Sequence, residues 1–404
     1  MSEGVTFPLG FRAAGVSAGL KPSGRPDLAL LGGGPDTTAA GLFTTNRAAA
    51  APVRLSAARL AAGRGFGVVV NSGQANAGTG PRGDADAVAS AAAVAARLDR
   101  EPEDVLVCST GVIGEPIPMA AFTAAVPDLV ASLGADGGGS FATAIMTTDT
   151  VAKTAEAVGG PYRVGGAAKG VGMLAPALAG PPHATMLAFL TTDAPVGRSD
   201  LQRLAEEHVQ PAFEAVSVDG CTSTNDTVLL LASGGAGGDV LGPEDAVWAD
   251  LSTAIAATAD GLARQLIADA EGATHVLVVR VEGAASGVDA RRVAKAVADS
   301  PLVKAAGFGG DPNPGRILQA VGSAGVETHP ALIDVWLGGA HLVEGGAIPP
   351  AYFETDGLRA SAATAMREPE FEIRIRVGEG PGAAHAYGCD LTYGYVRING
   401  EYTT

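Results

Sequence analysis

HATMLAFLTTD, from His183 to Asp193, is the stretch on which the reading of this chain turns. From Thr185 onward it is apolar and β-prone, and it ends on a polar Thr-Thr-Asp, as a buried strand does. Upstream lies KGVGMLAPALAGPP, Lys169 to Pro182, broken by glycines and rich in proline, which reads as a flexible loop. A loop running into Ala184-Thr185 at the start of a buried strand suits a chain that cuts itself between those two residues. The Thr185 released by such a cut carries its own base, because a free α-amino group has a pKa of about 7.7–8.0. A threonine hydroxyl is a weak nucleophile until a neighbouring base takes its proton, and an N-terminal amine is one such base.

Outward from this stretch, β-branched runs alternate with alanine-rich helical ones. Strands are expected at Gly65–Asn71, Asp104–Gly111, Thr227–Ser233, His275–Gly283 and, at the end, Leu391–Asn399. Helices are expected at Asp86–Leu98, Met119–Leu133, Ser199–Val216, within Pro243–Ala270 and at Asp289–Ala298. This alternation predicts an α/β fold with helices layered on sheets.

Composition narrows the function. At 404 residues and 47% hydrophobic content the chain can bury a large core, and 17% charged residues is too few for a solvated tail protein. A net charge of −16 argues against nucleic acid and against anionic membrane surfaces, which need basic patches. Cys108, Cys221 and Cys389 form an odd, widely spaced set without a CxxC, so neither a disulfide framework nor a zinc site is indicated. The start, MSEGVTFPLG, lacks the basic and apolar blocks of a signal peptide, and a cytoplasmic location is expected.

Several segments carry chemistry-bearing residues. STGVIGEPIP, Ser109 to Pro118, follows an expected strand, and the Thr110 hydroxyl and Gly111 N–H suit a developing oxyanion; an ordinary strand-to-helix turn explains the same residues. IMTTDTVAK (Ile145–Lys153) and SVDGCTSTNDT (Ser217–Thr227) are dense in hydroxyls and carboxylates, which either bind small polar molecules or make local turns, with Asp219 and Asp226 as caps. Lys169, among glycines and alanines, either meets a carboxylate or carbonyl or sits in an exposed loop. Glu271, between a helix and a strand, either reaches a site or is solvated. GVSAG (Gly15–Gly19) lacks the strand and helix of a nucleophile elbow, and LGGGPD (Leu31–Asp36) lacks the residues of a phosphate loop.

In their order, these motifs resemble the ornithine acetyltransferase family, the glutamate N-acetyltransferases of arginine biosynthesis. The resemblance spans nearly the whole chain: GFRAAGVSAGLK (Gly10–Lys21), GLFTTNRAAAAPV (Gly41–Val53), NSGQANAGTG (Asn71–Gly80), STGVIG, IMTTDT, KGVGML, ATML, STND, EGAT, SPLVK (Ser300–Lys304), DPN-x-GR (Asp311–Arg316) and CDLTYGYVRINGEYTT. It implies a self-cleaving precursor with an α chain of residues 1–184 and a β chain of residues 185–404. It also implies a layered α-β-β-α sandwich like that of the Ntn hydrolases, assembled as an α2β2 heterotetramer. Thr185 would be the nucleophile, Thr110 and Gly111 the oxyanion hole, and Ala184-Thr185 the cleavage site. Thr147, Lys169, Thr185, Glu271, Asn399 and Thr404 would bind substrate, with no metal or other cofactor. The implied substrates are N-acetylornithine, glutamate and, as a second donor, acetyl-CoA.

The chain departs from the family pattern at Gln74, Gly78, Cys221, His275 and Pro314, and AGPPH lengthens the segment before Thr185. Two other readings therefore stand beside acetyl transfer. One is an N-terminal-threonine amidohydrolase or acyltransferase on a related acyl-amino acid; the other is an unprocessed, non-catalytic binding protein.

Overall fold

The structure, a computed structural model, describes residues 3–179, 186–354 and 357–401. The chain divides into two compact units, one running up to Glu214 and including Thr222–Leu266, the other built from Ala215–Cys221 and the chain from Ile267.

In the first unit the described strands are β1 (Arg12–Val16), β2 (Leu28–Gly32), β3 (Thr38–Thr44), β4 (Gly67–Gln74), β5 (Val105–Val112), β6 (Lys153–Gly159), β7 (Tyr162–Lys169), β8 (Leu178–Ala179), β9 (Leu187–Thr192) and β10 (Thr227–Ala232). They form one sheet in the order β1-β2-β4-β5 and another in the order β6-β7-β9-β10-β3-β8. The sheets pack face to face because each offers an apolar face: Leu31, Val68, Val70 and Leu106 of the first share a buried cluster with Phe43, Ala167, Phe189 and Leu229 of the second. Phe141 closes this layer, its ring edge-on to Phe189 at 5.2 Å. The outer face of the first sheet is also apolar, and helices Gly80–Leu98 and Met119–Ala131 cover it through Val94, Ala95, Phe122 and Val126. Helix Trp248–Ala268 lies on the second sheet so closely that a Cβ at Gly166 would meet Leu262 at 2.9 Å. Helix, sheet, sheet and helix make the expected layered sandwich.

The stretch after Thr185 becomes β9, buried along its whole length. β9 runs antiparallel to β7 and parallel to β10, and β10 runs antiparallel to β3. Strands from before and after residue 185 therefore share one continuous sheet.

The second unit carries β11 (Val276–Ala284), β12 (Asp334–Leu337), β13 (Ala340–Val343), β14 (Glu370–Arg376) and β15 (Gly382–Cys389), in the order β13-β12-β14-β11-β15. Burial alternates strictly along β14, and its inner residues Phe371, Ile373 and Ile375 pack with Val293 and Val297 of helix Gly287–Asp299.

Two expectations need correction. Leu391–Asn399 is not a strand: residues Tyr393–Glu401 form a helix. The alternation of aromatic and β-branched residues suggested a strand, but Thr392 acts as an N-cap, its Oγ1 accepting the Tyr395 N–H at 3.1 Å. Around GVSAG, no strand was expected, yet Gly15 lies in β1. Only glycine fits there, since a Cβ would fall 2.1 Å from the Ser140 carbonyl oxygen. Among the described residues no helix is long and apolar enough to cross a membrane.

Candidate active site

β4 and β5 run parallel, pairing Ser72 with Thr110 and Gly73 with Gly111. At Gly111 the backbone has φ +129°, and a Cβ would lie 2.3 Å from the Gly73 carbonyl, so glycine alone lets the strand ends close here. The buried Thr110 hydroxyl meets Lys169, the last residue of β7, whose ammonium donates to Thr110 Oγ1 at 3.1 Å and to Thr147 Oγ1 at 2.8 Å. Lys169 is only 3% exposed, and its partner across the sheet is Leu187 in β9. The exposed-loop reading of this lysine is excluded, and among the described residues the carboxylate nearest it is that of Asp149 at 4.0 Å.

Asp149 organises the cluster from beneath. Its Oδ1 accepts the Lys153 ammonium at 2.7 Å and the Gly170 N–H at 2.8 Å. Its Oδ2 accepts the Thr147 N–H at 3.0 Å and lies 4.0 Å from Lys169 Nζ. Burial alone would raise this carboxyl's pKa, but the ammonium groups of Lys169 and Lys153 outweigh it and bring it down to about 2. Lys21 donates to the carbonyls of Met146 at 2.6 Å and Pro26 at 2.8 Å, tying down the residue before Thr147. Burial lowers the Lys21 pKa to about 8, with Arg25 and Lys169 acting in the same direction.

This arrangement has a chemical consequence. A hydroxyl oxygen that accepts from an ammonium directs its own hydrogen elsewhere, so the Thr110 O–H is left to donate. A preset donor beside a buried cation suits the stabilisation of an oxyanion. Cysteine chemistry is not supported: burial holds the Cys108 thiol up at about 12 and raises the Cys389 thiol as well.

The structure thus brings Thr110, Thr147 and Lys169 together in the first unit, with Gly111 next in the chain to Thr110. In the second unit it brings Glu271 beside Asn399, whose side-chain amide donates to Glu271 Oε2 at 3.1 Å. The terminal helix that carries Asn399 is held to this loop: Thr392 Oγ1 donates to the Gly272 carbonyl at 2.6 Å. Gly272 has φ +66°, and a Cβ there would meet the Tyr395 nitrogen at 2.4 Å. Ala184, Thr185 and Thr404 lie outside the described residues.

Most of the departures from the family pattern have structural roles. Gln74 is buried and donates to the Leu20 carbonyl at 2.9 Å. Pro314 opens a helix capped by Asn313, whose side chain accepts the Arg316 N–H at 3.1 Å. His275 Nδ1 lies 3.1 Å from the buried carboxylate of Asp390. Cys221 is exposed in the turn that Asp219 Oδ1 closes by accepting the Cys221 N–H at 3.1 Å. Sequence reasoning did not single out Asp149, Lys153 or Lys21, which hold this cluster in place. The Asp-x-x-x-Lys spacing of Asp149 and Lys153 was the available signal, hidden in a segment that also reads as turns.

Stacked sheets with a buried ammonium bridging two threonine hydroxyls make a mixed α/β protein whose cluster suits the stabilisation of an oxyanion. A sequence model of the ArgJ family matches residues 12–404, and the chain belongs to that family. It is 45% identical over 411 residues to the arginine biosynthesis bifunctional protein ArgJ of Parasynechococcus marenigrum, covering 100% of this chain and 96% of that protein. With the protein of the same description from Thermus thermophilus it shares 46% identity over 401 residues, covering 99% of this chain and all of the other. Among solved structures, the ornithine acetyltransferase of Mycobacterium tuberculosis complexed with ornithine is 48% identical (TM-score 0.40) and aligns over 44% of this chain and 96% of its own. The ArgJ protein of Bacillus halodurans is 37% identical (TM-score 0.49), over 52% of this chain and 97% of its own.

Proposed function

We propose that the chain cuts itself between Ala184 and Thr185 and that the new N-terminal Thr185 moves an acetyl group from N2-acetyl-L-ornithine to L-glutamate. The products of the cut are an α chain of residues 1–184 and a β chain of residues 185–404, held together by the sheet in which β9 pairs with β7. Thr185 Oγ attacks the acetyl carbonyl while the α-amine takes the hydroxyl proton. The Thr110 hydroxyl and the Gly111 N–H donate to the oxyanion that forms. When the C–N bond breaks, the amine returns the proton to the departing ornithine nitrogen, leaving an acetyl ester on Thr185. The amine of glutamate then attacks the ester carbonyl, N-acetylglutamate leaves, and the hydroxyl is restored. Acetyl-CoA is a second donor able to load the same ester. Neither half-reaction requires a metal or a nucleotide.

The observation that carries this proposal is the Lys169–Thr110 bond of 3.1 Å, which frees the Thr110 proton for an oxyanion. The family membership and the printed names of the relatives support the choice of substrates. Thr147, Lys169, Glu271, Asn399 and Thr404 hold the substrates in this scheme, Lys169 facing an α-carboxylate and Glu271 an amino group. The processed chains assemble as α2β2 in the cytoplasm.

Intact mass and N-terminal sequencing of the purified protein come first. Two chains, the second beginning Thr-Met-Leu-Ala-Phe, are expected, followed by acetyl transfer from N-acetylornithine that depends on glutamate. A single chain of 40.0 kDa would overturn the mechanism and leave a binding protein. Equal turnover with water alone would make the enzyme an amidohydrolase.

A further inference from the structure

The acyl-transfer scheme gives no role to the buried ammonium of Lys153. Lys153 is fully buried at the start of β6. Its ammonium lies 2.7 Å from Asp149 Oδ1, the ordinary distance of a charge-assisted hydrogen bond. Lys169 lies 4.0 Å from the other oxygen of the same carboxylate, too far for such a bond, and donates instead to Thr147 and Thr110. Two ammonium groups thus face one buried carboxylate, and the inner one is bound more closely.

We propose that Lys153 is a positioning residue for acyl transfer: by engaging Asp149 it keeps that carboxylate from drawing the Lys169 ammonium away from the Thr110 and Thr147 hydroxyls. The proposal rests on the acetyl-transfer function given above. Geometry supports it at each contact. Asp149 is anchored by two backbone N–H groups, from Thr147 and Gly170, so it cannot swing aside when a partner is lost. Lys169 ends a strand on a four-carbon stem, so its ammonium can move by the small distance needed to close on Asp149 Oδ2.

The test is Lys153→Met in the processed enzyme. Met fills most of the lysine volume, and Asp149 keeps Lys169 as counter-ion, so the variant is expected to fold and to process. Its kcat is expected to fall about tenfold or more while KM for N-acetylornithine moves by less than about threefold, as for loss of a preset oxyanion donor. A purely structural role would lower the melting temperature and leave kcat per folded enzyme unchanged, and that result overturns the proposal. If Lys153→Met does not fold, the pair-neutral Asp149→Asn/Lys153→Met variant replaces it: with no carboxylate left to draw Lys169 away, near-parental kcat there supports the idea and a kcat reduced about tenfold refutes it. A crystal structure of whichever variant folds separates this proposal from the function itself. In Lys153→Met, Lys169 still bonded to both hydroxyls overturns the positioning role, even if the parent enzyme proves inactive on these substrates, and Lys169 moved onto Asp149 supports it; in the double variant, Lys169 kept on the hydroxyls supports it and Lys169 moved off them overturns it.

Discussion

Thr110→Val keeps the shape of the side chain and removes only the hydroxyl that the scheme assigns to the oxyanion. Two costs follow, and they fall on different measurements. Losing one preset oxyanion donor costs about a hundredfold to a thousandfold in kcat, roughly 2.7–4 kcal/mol of transition-state stabilisation. Separately, the buried Lys169 ammonium loses its 3.1 Å acceptor, and a hydrogen bond to a charged group is worth about 1.5–3 kcal/mol of stability. Thr147→Val provides the control, because it removes the other acceptor of the same ammonium, at 2.8 Å, without touching the oxyanion donor. Both variants are expected to lose similar stability by urea unfolding. In the two-chain enzyme assayed for acetyl transfer to glutamate, only Thr110→Val is expected to lose about two orders of magnitude in kcat, and Thr147→Val mainly raises KM. Equal kcat losses in the two would mean that the hydroxyls act only through Lys169, and the oxyanion assignment of Thr110 would be wrong.

Three further outcomes are expected. Glu271→Gln raises KM for the amino-acid substrates about tenfold, the scale of a lost charge-assisted bond, and unchanged substrate affinity would remove Glu271 from the binding set. Asp149, whose carboxyl is held near 2 against an ordinary 3.8, contributes about 2 kcal/mol that is fully present above pH 4 and is lost as pH falls from about 4 to 2; a flat unfolding free energy across that window would contradict the buried ion pair. Gly272→Ala forces a Cβ into left-handed backbone and against the Tyr395 nitrogen, so it destabilises the second unit by about 1–3 kcal/mol and raises KM together with Asn399→Ala; parental unfolding would show that the terminal helix does not depend on this contact.

The sequence shows what is local and conceals what is made by pairing. Buried strands such as TVLLLA and the Asp86–Leu98 part of helix Gly80–Leu98 follow from runs and spacings, because each is decided by its own residues. Thr110, Thr147 and Lys169 were nameable as candidates from their polar, glycine-rich settings, but 22 and 59 residues separate Lys169 from the two hydroxyls it binds, and no periodicity reports such a contact. The terminal helix was misread because its side chains favour a strand and its start depends on one Thr392 cap. Asp149 and Lys153 were harder still. Four residues apart, they suggest a surface helix pair, yet here they flank a bend leading into β6 and are wholly buried.

The place of the proposed cut follows from the same sheet. β9 is hydrogen-bonded on one side to β7, which precedes residue 185, and on the other to β10, which follows it. Lys169 pairs with Leu187, so the ladder begins two residues beyond Thr185, and the Met186 carbonyl accepts the Thr227 N–H at 2.7 Å. Cleaving one peptide bond at the mouth of such a strand breaks none of these bonds. On this proposal the new amine precedes Met186, whose carbonyl is already held by the Thr227 N–H, so the chain that follows the nucleophile needs no reordering after the cut. A cut in a loop far from a central strand would instead give a mobile N-terminus that must be ordered in every catalytic cycle.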